Sequence, residues 1–272
     1  MTTHFRLHKK GDALYLTSPL LEDAGAKHFF ATRRGGVSKG VFGGWNFAAG
    51  VGKVTDTEEN VLENYRLAAE LLGLSLSDIC RSYQAHTSLC ITVDDSHRGV
   101  GTTKPKFEFG VDGLVTKTPA LLLSVRTADC VPILLFDPEN KVCAAVHAGW
   151  RGTVGGIGEN AVKEMISHGS DPANILAAIG PCIGSCCYQV GEEVYRAFLE
   201  KGDLDFCFTP DQTPGKYLLD LTAANRRLLE GAGVLPSHVD EARVCTRCHG
   251  EYFFSHRRMG AERGTMSAFI TL

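Results

Sequence analysis

The sequence predicts an α+β fold, a single layered domain over residues 1–272 in which a mixed β-sheet is flanked by helices. Three observations lead to it. Short apolar runs at the centre of the chain, separated by turn-like pieces, have the length and composition of buried strands. Segments of helical spacing lie before, between and after those runs. The connections mix hairpin and crossover lengths, and no internal repeat, low-complexity tract or Pro- or Ser-rich linker marks a domain boundary. With 44% hydrophobic residues, the chain has apolar mass for a sizeable core.

The first helix is predicted after Thr55. Thr55 and Glu58 form a capping-box pattern, Val61, Tyr65, Ala68 and Leu72 recur at helical spacing, and Gly73 suits the stop. Residues 89–93 are β-prone. Strands are predicted over 121–125, 131–136 and 142–146, the last two joined by the turn Asp137-Pro138-Glu139-Asn140. The segment His147-Ala-Gly-Trp-Arg-Gly152 then falls at a strand end, before a helix over 153–168. Further helices are predicted over 191–201 and 221–231, with strands over 175–179 and 239–244.

Composition narrows the function. A net charge of −3 and the lack of any run of five Lys or Arg exclude a phosphate-backbone binder, so no nucleic acid is expected as partner. The longest apolar runs fall far short of the ~20 residues of a membrane helix, so no membrane partner is expected. The N-terminal segment lacks an apolar stretch followed by a small-residue cleavage site, which predicts an unprocessed, cytoplasmic protein. Its ten cysteines are therefore expected to be reduced. Small molecules are the expected partners; nothing in the sequence specifies an oligomeric state.

Three residues stand out as metal ligands. His86 lies in Ser82-Tyr-Gln-Ala-His-Thr-Ser88; alone, such a histidine reads equally as a hydrogen-bonded structural residue. Cys130 lies in a polar Thr-Ala-Asp-Cys segment between two apolar runs, a costly burial unless its groups are satisfied. The alternative is a buried thiol in a tight turn. His147 closes a strand of small and apolar residues, and the glycines after it permit close approach of backbone to a ligand. Two imidazoles and a thiolate suit zinc and leave a fourth position for water or substrate. Separations of 44 and 17 residues match no local zinc motif, so spacing alone leaves the question open.

Taken together, Thr32-Arg33-Arg34-Gly35-Gly36-Val37-Ser38, Gln84-Ala85-His86, Thr127-Ala128-Asp129-Cys130-Val131-Pro132, His147 to Gly152, Gly180-Pro181-Cys182-Ile183-Gly184 and Phe254-Ser255-His256-Arg257-Arg258 closely resemble the multicopper polyphenol oxidase, or laccase-domain, family. The motifs occur in family order across nearly the whole chain. The resemblance implies zinc on His86, Cys130 and His147. It implies phosphorolysis of adenosine, inosine, guanosine and methylthioadenosine, with purine nucleosides and phosphate as partners, and deamination of adenosine. The older family name implies copper and phenol oxidation; one His/Cys/His set offers no means of building several copper centres, so copper ranks below zinc. Three positions depart from the family pattern: Thr87 for a glycine, Trp45-Asn46-Phe47 for Leu-Asn-Leu, and Gln189 for a glutamate, which bears on activity if that carboxylate handles substrate or a proton.

Other residues are assigned around this trio. Arg33 and Arg151 are candidate anion binders, since a guanidinium fork suits phosphate; a surface ion pair is the alternative for either. Ser38 and Asn46 are candidate ribose or base contacts, or turn residues. Asp129 is a candidate proton-transfer or ligand-supporting carboxylate, or a turn former. Cys245-Thr-Arg-Cys248-His249 spells a haem-attachment pattern, which belongs to exported proteins and is set aside. Cys182, Cys186 and Cys187 joining Cys245 and Cys248 in a second thiolate site is a further alternative; incidental reduced thiols are the expectation. Two rival readings remain. Cys130 as nucleophile with His147 as base would make a cysteine hydrolase, which suits the link of related bacterial proteins to peptidoglycan precursor quality control. A metal-stabilised binding protein would have no turnover at all.

Overall fold

The computed structural model describes residues 1, 3–50 and 52–272. Among these residues the α+β class holds, with the strands shared between two stacked six-stranded sheets and a small three-stranded one. The first sheet runs Arg6–Lys10, Ala13–Thr17, Lys27–Ala31, Met266–Thr271, Leu122–Thr127, Ile79–Arg81, antiparallel except for its last pair. The second runs Val239–Glu241, Leu176–Ile179, Val131–Asp137, Val142–Ala148, Gly113–Thr116, Cys90–Thr92, antiparallel inside and parallel at both edges. The antiparallel third sheet joins Gln189–Gly191, Lys216–Leu219 and Phe208–Pro210.

Period-two alternation explains the layering. Along the central hairpin, Val131, Ile133 and Leu135 with Val142, Ala144 and Val146 face a helical layer that includes Ile157–Ser167 and Leu221–Gly231. Their neighbours Leu134, Phe136, Cys143 and Ala145 pack against Phe30, Leu123, Val125 and Ile270 of the first sheet. That sheet's outer face, with Phe29, Leu122 and Phe269, meets Val61, Tyr65 and Ala68 of helix Glu58–Leu71. Both sheets are thus buried on both faces, which is why the central runs read as continuously apolar. Each fully buried aliphatic side chain contributes about 1.5–3 kcal/mol.

Several boundaries move, the strand expected over 239–244 shortening to Val239–Glu241, and two of the changes have a clear physical reason. Thr57, not Thr55, caps helix Glu58–Leu71: its hydroxyl accepts the Asn60 N–H at 3.1 Å, while Asp56 takes the Thr57 N–H and the Asn60 amide. The helix expected over 153–168 is two helices, Trp150–Val154 and Ile157–Ser167, broken where Gly156 turns left-handed at φ 79°. Among the described residues no helix is long and apolar enough to cross a membrane.

Candidate metal centre

His147, Cys130 and His86 reach one place by three routes. His147 sits on strand Val142–Ala148, on the same face as Cys143 and Ala145, the face that packs toward the first sheet. Cys130 immediately precedes the neighbouring strand, in which Pro132 pairs with His147. His86 lies on the loop that crosses from Ile79–Arg81 of the first sheet to Cys90–Thr92 of the second. The three ligand atoms lie within 4.8 Å of one another. The Cys130 Sγ to His86 Nε2 separation of 3.9 Å is close to the ~3.6 Å edge that zinc's sulfur and nitrogen bond lengths give in a tetrahedron. Gly149 makes room: a Cβ there would stand 2.9 Å from His86 Cδ2 and 3.2 Å from Cys130 Sγ.

Asp112 organises the set. Its fully buried carboxylate accepts His147 Nδ1 at 2.7 Å, the backbone N–H groups of Ala85, His86 and Thr87 at 2.9–3.1 Å, and the Thr87 hydroxyl at 2.9 Å. That clamp holds His86 at φ 59°, a left-handed conformation rare for such a residue. With Nδ1–H given to Asp112, His147 presents Nε2 to a metal, the usual arrangement behind a histidine ligand. The Thr87 side chain, where the family pattern has glycine, adds one donor to this clamp.

The charges support each other. Burial pushes the Cys130 thiol up, yet the neighbouring His147 and His86 draw it down to about 6. Burial pushes His147 down, but the Cys130 thiolate and Asp112 lift it to about 9. Burial also opposes ionisation of Asp112, and its bonds to His147, Thr87 and Ala85 still hold it at about 2. The donor set is a thiolate and two oriented imidazoles, which fits a zinc ion with one open position.

The trio opens onto a cavity of about 830 Å³. Arg81, Lys104, Lys106, Arg126 and Arg263 line it, against the single carboxylate of Glu58. The Nε atoms of Arg81 and Arg263 are buried without a hydrogen-bond partner, and burial lowers the basicity of Arg126 and Arg263. Gln84 anchors Arg126 by exchanging bonds with its backbone at 2.6 and 2.8 Å. Buried donors of this kind are costly unless an acceptor takes them up, and a guanidinium is well matched to an anion.

The sequence pattern of the family described as multi-copper polyphenol oxidoreductase laccase matches residues 27–272. The chain belongs to this family. A purine nucleoside phosphorylase of Deinococcus radiodurans is 41% identical over 246 residues, 90% of this chain and 88% of that protein. The adenosine deaminase RL5, from an unknown prokaryotic organism, is 37% identical over 86% of this chain and 90% of its own length. The crystal structure of YlmD from Geobacillus stearothermophilus superposes with a TM-score of 0.89 at 36% identity, covering 99% of each chain.

The other residues singled out in the sequence sit elsewhere in this family fold. Arg33 gives its guanidinium to the carbonyls of Gly250 and Gly43 and lies over Phe254, in a separate depression. Arg151 lies over the Trp150 ring and is absent from the cavity lining. Ser38 accepts the Asn64 amide, and Asn46 ties Ala48, Asp56 and Thr265 together. Asp129, at φ 100°, spends its carboxylate on the Thr246 hydroxyl and the Arg257 N–H at 2.6 and 2.7 Å. Gln189 is exposed and points its amide to Asp211. Asp112 and the three cavity arginines were not singled out. Asp112 had one weak signal, a lone carboxylate at the mouth of an apolar strand; arginines 45 and 137 residues apart in sequence had none.

Proposed function

We propose that the protein is a zinc-dependent purine nucleoside phosphorylase that acts on adenosine, inosine, guanosine and methylthioadenosine and also deaminates adenosine, with residues 1–272 working as one domain. The observation that carries this reading is the His86, Cys130, His147 set at the wall of a cavity in which the Nε atoms of Arg81 and Arg263 are buried without a partner. Relatives named as phosphorylases and a deaminase favour the same class. A volume of about 830 Å³ accommodates a nucleoside beside an anion.

His86, Cys130 and His147 would hold the zinc, with Asp112 setting the His147 tautomer. A zinc ion there supplies Lewis-acid polarisation of a substrate oxygen or of water. Arg81, Arg126 and Arg263 bind phosphate and orient one of its oxygens toward the sugar carbon. As the bond from sugar carbon to base nitrogen breaks, its electron pair leaves with the base, which takes a proton from water, and a phosphate oxygen held by the arginines bonds to the sugar carbon on the opposite face. In this reading Asn46 acts through Ala48 and Thr265 of the cavity wall and Asp129 through the loop that carries Cys130, while Arg33, Ser38 and Arg151 support the fold away from the cavity. The test is purified, zinc-replete protein with adenosine or inosine, with and without phosphate. Free base and pentose 1-phosphate are expected only with phosphate, and inosine from adenosine without it. Neither product above a Cys130→Ala control would overturn the reading.

One observation favours a second reading. The Cys130 thiol, drawn down to about 6 beside His147, has the pairing of a nucleophile and its base. A cysteine hydrolase keeps full activity in chelator and loses it to alkylation; the phosphorylase loses activity in chelator and regains it with zinc.

A further inference from the structure

A second cluster of soft ligands lies outside the cavity. Strands Leu176–Ile179 and Val239–Glu241 are parallel neighbours, so the segments leaving them run side by side. Cys182 pairs with Cys245 as an isolated bridge, with the Cys182 N–H on the Val244 carbonyl and the Thr246 N–H on the Cys182 carbonyl. Beyond that bridge the first segment turns on Gly184, whose carbonyl accepts the N–H groups of Cys187 and Tyr188. The second segment turns back so that the His249 N–H reaches the Cys245 carbonyl. These two turns bring the sulfurs of Cys186, Cys187, Cys245 and Cys248 within 4.8 Å of one another.

We propose that Cys186, Cys187, Cys245 and Cys248 bind a second, structural zinc ion. Four thiolates around zinc at ~2.3 Å stand about 3.8 Å apart along each tetrahedral edge. The separations are 3.7 Å for Cys186–Cys187, 3.7 Å for Cys186–Cys248 and 3.4 Å for Cys187–Cys248. A disulfide needs about 2.05 Å. Gly184 keeps the space open, since a Cβ there would sit 3.3 Å from Cys186 Sγ and 3.7 Å from Cys245 Sγ. Arg247, exposed between Cys245 and Cys248, sets a cation in the same turn, which offsets the negative charge of a four-thiolate site. Cys182 is excluded: its buried sulfur faces the Thr222 hydroxyl at 3.1 Å. Four protein ligands leave no open position, so the ion is a clasp and not a reaction centre.

The clasp grips the loop of the first metal centre. Thr246, between Cys245 and Cys248, donates to the Asp129 carboxylate, and the Ile183 N–H donates to the Asp129 carbonyl at 2.9 Å. Asp129 directly precedes Cys130. Loss of the clasp therefore loosens the thiolate of the other site.

The test is metal content of protein purified under reducing conditions. About two zinc equivalents per chain are expected, falling to about one in Cys245→Ser/Cys248→Ser and, by loss of the other ion, in His86→Ala/His147→Ala. With cobalt in place of zinc, the sulfur-to-metal charge-transfer absorption of four thiolates should persist in the histidine variant and fall to that of Cys130 alone in the cysteine variant. Should the cysteine variant fail to fold, thiol alkylation of the wild type mapped by mass spectrometry decides. The four cysteines should be protected with zinc and reactive after chelation. A single equivalent insensitive to the cysteine substitutions, equal alkylation with and without zinc, or a disulfide persisting in reductant would each overturn the proposal.

Discussion

Asp112 grips His147 twice, by accepting its backbone N–H on the carbonyl oxygen at 2.8 Å and its Nδ1–H on Oδ1 at 2.7 Å. The imidazole is thus fixed in position by one bond and in tautomer by the other. The same carboxylate closes the turn that carries His86, so two of the three proposed ligands depend on one side chain. Asp112→Asn keeps the volume but replaces one acceptor with an amide that competes with the donors around it. Zinc affinity, measured by chelator competition, should fall about 10–100-fold. Unchanged affinity would remove Asp112 from the site.

Gly149→Ala tests the packing of the site without straining the chain. Gly149 has φ −75° and ψ 170°, which alanine adopts freely, but the added Cβ stands 2.9 Å from the His86 ring and 3.2 Å from the Cys130 sulfur. The expected outcome is a melting temperature close to wild type in the metal-free protein, with zinc content and turnover strongly reduced. Full zinc occupancy in the variant would mean that His86 is free to shift.

The cavity arginines separate the two proposed reactions. Arg126→Gln and Arg263→Gln each remove a guanidinium from the proposed phosphate pocket, and a hydrogen bond to a charged group contributes about 1.5–3 kcal/mol. The KM for phosphate should therefore rise about 10- to 150-fold in phosphorolysis, while deamination, which uses no phosphate, changes far less. Equal loss of both activities would place these arginines on the nucleoside and not on the anion.

Much of this architecture is readable from residue pattern because both large sheets are buried on both faces. The runs around Leu134 and Ala145 carry that signal directly. The layering was not readable: strand Met266–Thr271, at the end of the chain, inserts between Lys27–Ala31 and Leu122–Thr127, and only long-range pairing determines that. The His86, Cys130, His147 set was suggested by ligand chemistry, left open by separations of 44 and 17 residues, and singled out only by the family resemblance of the segments that carry it. Asp112 was not, since an aspartate before Gly113 looks like any turn former until Gly113 pairs with Val146 and brings it under His147. Arg33 drew attention through its motif, yet Arg81, Arg126 and Arg263 converge only once the sheets are stacked.

The pH dependence of stability should report on His28, which is remote from the metal centre. Its Nε2 accepts the Ser18 N–H at 2.9 Å and its Nδ1 donates to the Ala26 carbonyl at 3.1 Å, so the fold requires the neutral ring. Burial pushes its pKa down to about 4, although the Ala26 carbonyl and the charges of Glu22 and Asp240 act upward. In the unfolded chain the ring titrates near ~6.5, so between those values the unfolded state binds more protons and stability rises with pH. The contribution is complete above the unfolded value and is lost as pH falls toward 4, up to about 3 kcal/mol at ~1.4 kcal/mol per unit. His28→Gln keeps an acceptor for Ser18 and cannot titrate. Denaturant unfolding from pH 7 to pH 4 should show a shallower decline in the variant than in the wild type; parallel curves would show that His28 does not govern acid sensitivity.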